Sequence, residues 1–163
     1  MAGKVKRSEF AAFLNTTPGE STANWVRFGK GITSQTISYN PESTTETYID
    51  EDSGTTTLDS YAPTMDGAQT AYAGDGVFDY IDNLRQNRAV GADSETEVLL
   101  VYIYDAEGSN SYKAEKQPVS VQIDDFGGEG GGNVQINYTV NFVGNPVKGK
   151  ATISAGKPTF TEG

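Results

Sequence analysis

The chain has 163 residues, enough for one domain with a real core and too few for two full ones; its 22 Asp and Glu against 12 Lys and Arg give a net charge of -10, and it contains neither Cys nor His. Without Cys there is no disulfide, thiolate metal site or cysteine nucleophile, and without His the commonest general base and transition-metal ligand are gone, so the composition argues against an enzyme. The charge is segregated: from Gly31 to Leu84 there are ten acids (Glu42, Glu46, Asp50, Glu51, Asp52, Asp59, Asp66, Asp75, Asp79 and Asp82) and no Lys or Arg, which gives the molecule one surface that repels polyanions.

Residues 1–23 read as an arm and connector, with Lys4, Lys6 and Arg7 ahead of Phe10, Phe13 and Leu14 and a Thr/Pro/Gly/Ser-rich piece over Thr16 to Thr22. The apolar run is too short for a signal peptide, and no stretch reaches the roughly 18 apolar residues of a membrane helix, so a cytoplasmic origin and no membrane contact are expected. The β domain is expected over residues 24–163. Asn24 to Lys30 and Thr33 to Tyr39 suggest two short strands about a Gly29-Lys30-Gly31 turn, and alternation places Ser34, Thr36 and Ser38 on one face. Beyond Asn40-Pro41 the apolar residues thin out. Thr44 to Ile49 and Thr55 to Tyr61, β-branched and separated by Asp52-Ser53-Gly54, predict a long hairpin over about 40–61 that has little of its own to bury and therefore either stands free in solvent or docks on another chain.

One helix is expected over about 75–89. Asp75 suits the N-cap, Asp79 the first turn and Arg85 and Arg88 the last; Val77, Phe78, Ile81 and Leu84 form one apolar stripe, and Gly91 follows as a stop. Thr96 to Tyr104 is apolar on both faces through Val98 to Ile103, the pattern of a central strand covered on both sides. After a turn near Gly108, Val119, Val121 and Ile123 alternate with Ser120, Gln122 and Asp124. Val134, Ile136, Tyr138, Val140 and Phe142 alternate with Gln135, Asn137, Thr139 and Asn141, and a last hairpin is expected to turn at Gly144-Asn145-Pro146 and run on toward Phe160. These polar faces carry amides and hydroxyls with almost no charge.

Three motifs fail on their chemistry. Gly144, Gly149 and Lys150 fit the spacing of a phosphate loop, but Ala151 replaces the magnesium-binding hydroxyl and a strand follows where a helix is needed. The Gly127 to Gly132 run joins two strands and reads as a hairpin tip; Asp50-Glu51-Asp52 and Asp124-Asp125 lack calcium-loop spacing. There is no basic stripe for stable nucleic-acid binding. No catalytic, metal or cofactor residues are assigned.

The run Trp25 to Tyr39, then Asn40-Pro41-Glu42, Thr47 to Asp52, Ser60 to Thr64 and Gly74 to Ile81, resembles the major tail tube proteins of long-tailed bacteriophages and prophages of Gram-positive bacteria. The resemblance implies a mainly β, antiparallel sandwich or barrel with one flanking helix, forming hexameric rings that stack into a tube around a lumen for DNA. It implies as partners further copies of the chain, a tape measure protein, and tail terminator and baseplate or tip proteins, within a virion tail assembled in the host cytoplasm. On that scheme Glu42, Glu46, Tyr48, Asp50, Glu51, Asp52 and Tyr61 belong to the hairpin that stacks rings. Lys4, Lys6 and Arg7 form an arm that pairs with such acids on another subunit, and Ser34, Thr36, Ser38, Gln122, Asp124, Gln135, Asn137, Thr139 and Asn141 are candidates for the lumen wall. Two other readings stand beside it: a small β-sandwich that binds carbohydrate or cell wall through Trp25, Tyr39, Tyr48 and Tyr61, and another structural protein of the virion.

Overall fold

The structure, a computed structural model, describes residues 2–163. In chain order its elements are a 3-10 turn Arg7–Glu9, β1 (Phe10–Asn15), β2 (Trp25–Arg27), β3 (Ile37–Ser38), β4 (Pro41–Glu46), β5 (Thr55–Tyr61), β6 (Thr64–Thr70), α1 (Gly76–Asn87), a 3-10 turn Gly91–Ser94, β7 (Glu95–Gly108), β8 (Ser111–Gly127), β9 (Gln135–Phe142), β10 (Val147–Ser154) and β11 (Lys157–Glu162). Every pairing is antiparallel. The main sheet runs β2-β1-β7-β8-β9-β6-β3, with β10 and β11 attached to the first half of β8, while β4 and β5 form a separate two-stranded sheet. The protein is thus a mainly β, antiparallel sandwich-like domain with one helix on its flank.

The continuous apolar run of β7 marks the middle of the molecule because both of its faces are covered. Val98 and Leu100 point into a core shared with α1, whereas Leu99 and Val101 point into a second core with Trp25, Ala114 and Ala151. β1 repeats this division beside it, with Ala12 and Leu14 on the helix side and Ala11 and Phe13 on the other, in a register from Phe10↔Tyr102 to Leu14↔Val98. The expected arm therefore needs correction. Residue 1 lies outside the described residues, but Phe10–Asn15 is an interior strand, too short and too alanine-rich to announce itself as one.

β8 changes partner along one edge, pairing with β10 from Ser111 to Lys116 and with β9 from Val119 to Gly127. Pro118, which has no N–H to give a ladder, sits at the changeover. The gap is closed by the buried side chain of Gln117, whose Nε2 donates to the carbonyls of Pro118 and Val143 at 2.9 and 3.1 Å. The last hairpin turns at Ala155-Gly156, both in the left-handed region, and Gly144 to Pro146 is instead the link that carries the chain from β9 to β10.

α1 forms where its caps predict. Asp75 accepts from the backbone N–H of Phe78 at 3.0 Å, and Val77, Phe78, Ile81 and Leu84 are buried, each contributing about 1.5–3 kcal/mol. The helix stops at Asn87, with Arg88 at φ +45° as the C-cap, so Gly91 opens the following 3-10 turn. A buried polar chain ties this helix to the sheet: the Tyr138 hydroxyl donates to Gln69 Oε1 at 3.3 Å, and Gln69 Nε2 donates to Asp75 Oδ2 and to the Lys30 carbonyl, each at 3.0 Å. Burial, reinforced by the Asp75 charge, pushes the Tyr138 phenol well above its ordinary value, and burial does the same to Tyr102. Since the folded state favours the protonated phenol, this contribution is intact below the unfolded value of about 10 and is lost as pH rises beyond it. Urea melts between pH 9 and 11.5 are expected to show stability falling with pH, with a shallower slope in Tyr138→Phe; equal slopes would contradict the assignment.

Candidate functional site

On the side of the sheet away from α1, the outward residues of β8, β9, β6 and β3 form rows that follow the strand register. Ser120, Asn141, Thr64 and Ser38 make one row and Gln122, Thr139 and Asp66 the next; beyond them lie Asp125 and Asn137 with Ala68, and Gln135 with Thr70. These side chains hold one another. Asp124 accepts from Gln122 Nε2 at 2.6 Å and from Thr139 Oγ1 at 2.8 Å, Gln135 Nε2 donates to Thr70 Oγ1 at 3.0 Å, and Asp66 Oδ1 accepts the Thr36 backbone N–H at 3.1 Å. The face offers amides, hydroxyls and the carboxylates of Asp66, Asp124 and Asp125, with no cation and no aromatic ring in these rows.

Of the sequence-assigned lumen residues, Gln122, Asp124, Gln135, Asn137, Thr139 and Asn141 share this face, Ser38 stands at its margin and Thr36 touches it through its backbone. Ser34 does not belong. Only Ile37–Ser38 of the expected Thr33 to Tyr39 strand is extended, and Ser34 lines a cavity beside β1 and β2. The sequence reading missed Thr64, Asp66 and Thr70 because it missed β6, although Thr64, Asp66, Ala68 and Thr70 alternate there with the buried Met65, Gly67 and Gln69.

The hairpin of β4 and β5 stands apart from the main sheet, with both outer edges unpaired and every strand residue exposed. Its base is fixed by Asn40, at φ +46°, whose Nδ2 donates to the Ala62 carbonyl at 3.0 Å and to Thr64 Oγ1 at 3.3 Å, and by an edge-to-face contact of Tyr39 and Tyr61 with centroids 6.2 Å apart. Toward the tip, Tyr48 donates to Glu46 at 2.8 Å and Thr55 to Glu51 at 2.8 Å, while Thr44 bonds Asp59. Glu42, Asp50 and Asp52 are exposed, as is Ile49 at the tip.

Lys4 and Lys6 are exposed ahead of β1, but Arg7 is not part of a free arm. Its guanidinium donates to the Phe10 carbonyl at 2.7 Å and the Gln35 carbonyl at 3.3 Å and lies 5.2 Å above the Phe10 ring. The four aromatics weighed for a carbohydrate platform do not form one, since Trp25 is buried, Tyr39 and Tyr61 meet edge-on and Tyr48 lies out along the hairpin. Among the described residues no group of three acidic side chains is placed to hold a metal ion, and no helix is long and apolar enough to cross a membrane.

No family model matches the chain, and no curated protein matches it by sequence. Among solved structures, the fold is similar to a chain from the tail of an empty gene transfer agent (GTA) particle of C6 symmetry. The TM-score is 0.62 at 14% identity, over 88% of this chain and 97% of that one, which makes the likeness one of fold along nearly the whole length of both.

Proposed function

We propose that this chain is a structural, non-enzymatic subunit of a phage-like tail tube, of the kind built by long-tailed phages, in which hexameric rings stack around a lumen that passes DNA. The observation that carries the reading is the wall of β8, β9, β6 and β3, where amides, hydroxyls and three carboxylates meet the solvent without a Lys, Arg or aromatic side chain. Each cation on such a wall would displace counterions and hold phosphate, and each exposed ring would stack a base, so their absence leaves a surface past which DNA slides. The fold shared with a chain of a C6-symmetric particle tail supports the same reading, as does a hairpin that buries nothing within its own subunit. One heterologous contact repeated around a ring and between rings suffices to build such a tube. On this reading the chain is a virion tail component assembled in the host cytoplasm, with a tape measure protein in the lumen beforehand and terminator and baseplate proteins at the ends.

Purified protein at high concentration is expected to form hollow rods with sixfold end views in negative-stain microscopy; a strict monomer that binds polysaccharide would replace this reading with the carbohydrate module. Within the rods, Asn137→Lys places a cation in the wall from every subunit. Thr139→Lys and Gln122→Lys do the same beside Asp124, the present partner of both residues, as Asn137→Lys does across from Asp125. DNA retention by Asn137→Lys rods is expected to rise roughly tenfold at low salt and to vanish by about 0.2 M salt, in electrophoretic shift assays. Retention equal to wild type would remove Asn137 from the wall.

A further inference from the structure

At one end of the sheet, β1, the end of β2 and the 28–35 loop border an open cavity of about 510 Å³. Arg7 and Arg27 both line it, Ser8, Thr33 and Ser34 bring hydroxyls, and no acidic residue is in its lining. Both arginines are anchored from behind by carbonyls, Arg7 by Phe10 and Gln35, and Arg27 by Ser8 at 3.3 Å. Neither has a carboxylate partner: the ion pairs among the described residues are Arg85 with Asp82, Lys113 with Asp105 and Lys116 with Glu97. Gln35, 7% exposed, lines the same cavity with an Nε2 that donates to nothing, the one buried side-chain atom without a partner among the described residues. Two arginines, an amide residue and three hydroxyl residues thus border a site without an acid in a protein that carries 22 of them.

We infer that this cavity binds carboxylate side chains from the β4–β5 hairpin of a second copy of the chain. The hairpin matches it in charge, since Pro41 to Tyr61 holds six acids (Glu42, Glu46, Asp50, Glu51, Asp52 and Asp59) and no cation. It matches it in form as well, because a two-stranded ribbon six or seven residues long reaches roughly 20 Å from its base and presents its side chains fully to solvent. A carboxylate accepts from guanidinium through two parallel bonds. This replaces a flexible basic arm as the partner of the hairpin with a fixed pocket, and it adds Arg27 and Gln35, which the sequence pattern did not single out. The inference rests on the tube reading only in taking its partner to be another copy.

The test uses the full chain. Sedimentation of wild type and of R7Q/R27Q over a salt series is expected to show the variant associating at least tenfold more weakly and with a flatter salt dependence, with circular dichroism checking that it is folded. In a mixture of isotopically light and heavy R27K protein, carbodiimide is expected to join position 27 of one copy to the 41–61 segment of the other. Unchanged association of R7Q/R27Q, or crosslinks from position 27 that stay within one copy or reach another segment, would overturn the site. Rods that form with position 27 crosslinked elsewhere sink this contact and leave the tube. Copies that crosslink here without forming rods sink the tube and leave the contact, and a chain that never self-associates sinks both.

Discussion

Deletion of Glu42 to Thr57 is expected to leave a soluble, folded subunit that no longer elongates into rods. The removed segment contributes no residue to either core and pairs with no strand of the main sheet, so little stability goes with it. The junction is short, because the Ala62 N–H already donates to the Tyr39 carbonyl at 3.1 Å across the base. The thermal midpoint should stay within about 4 °C of wild type, the shift that roughly 1 kcal/mol produces in a domain of this size. Far-UV circular dichroism would lose only the signal of one hairpin, while electron microscopy at concentrations that polymerise wild type should show no tubes. Rods of ordinary length from the deleted chain would show that rings are held together elsewhere.

The largest loss of stability is expected from Gly67→Val. Gly67 lies directly across from Tyr138 in the β6–β9 register, and a Cβ there would fall within the contact distance of three carbons of the tyrosine ring. The ring is held over the glycine by its bond to Gln69 and by full burial, so it has nowhere to turn. Overpacking of this kind costs about 1–3 kcal/mol or more, which lowers the melting temperature by roughly 4–10 °C, with Gly67→Ala giving the smaller part. Combining Gly67→Val with Tyr138→Leu should recover part of the loss, and strict additivity of the two changes would refute the clash. The effect reaches function because β6 carries Thr64 and Asp66 of the polar wall, and Thr64 helps to hold the hairpin base.

What the sequence disclosed follows from which residues carry a legible period. α1 announced itself through Asp75 and a four-residue stripe, β7 through an unbroken apolar run, and β9 through strict alternation. β6 escaped because its inward positions are Met65, Gly67 and Gln69, of which one has no side chain and another is an amide that is buried only because Tyr138, Asp75 and Lys30 share its bonds. β1 escaped for a different reason: Phe10 to Asn15 is apolar on both faces and only six residues long, and its partner β7 is remote in sequence, Phe10 pairing with Tyr102, 92 positions further on. The candidate wall was visible as polar alternation on β8 and β9, but its closure by β6 and its position opposite the helix depend on pairings between distant segments. The Arg7 and Arg27 cavity is of the same kind, made by a loop folding back over β1.

The separate sheet of β4 and β5 leaves two bare strand borders in a free subunit, the very feature by which proteins pair with their own kind in disorderly ways. Its load of carboxylates answers that hazard, since two such ribbons meeting in solution repel each other before their backbones can join. The repulsion guards lone subunits until they join a tube, and raising the ionic strength weakens that guard, so salt should promote amorphous aggregation of lone subunits.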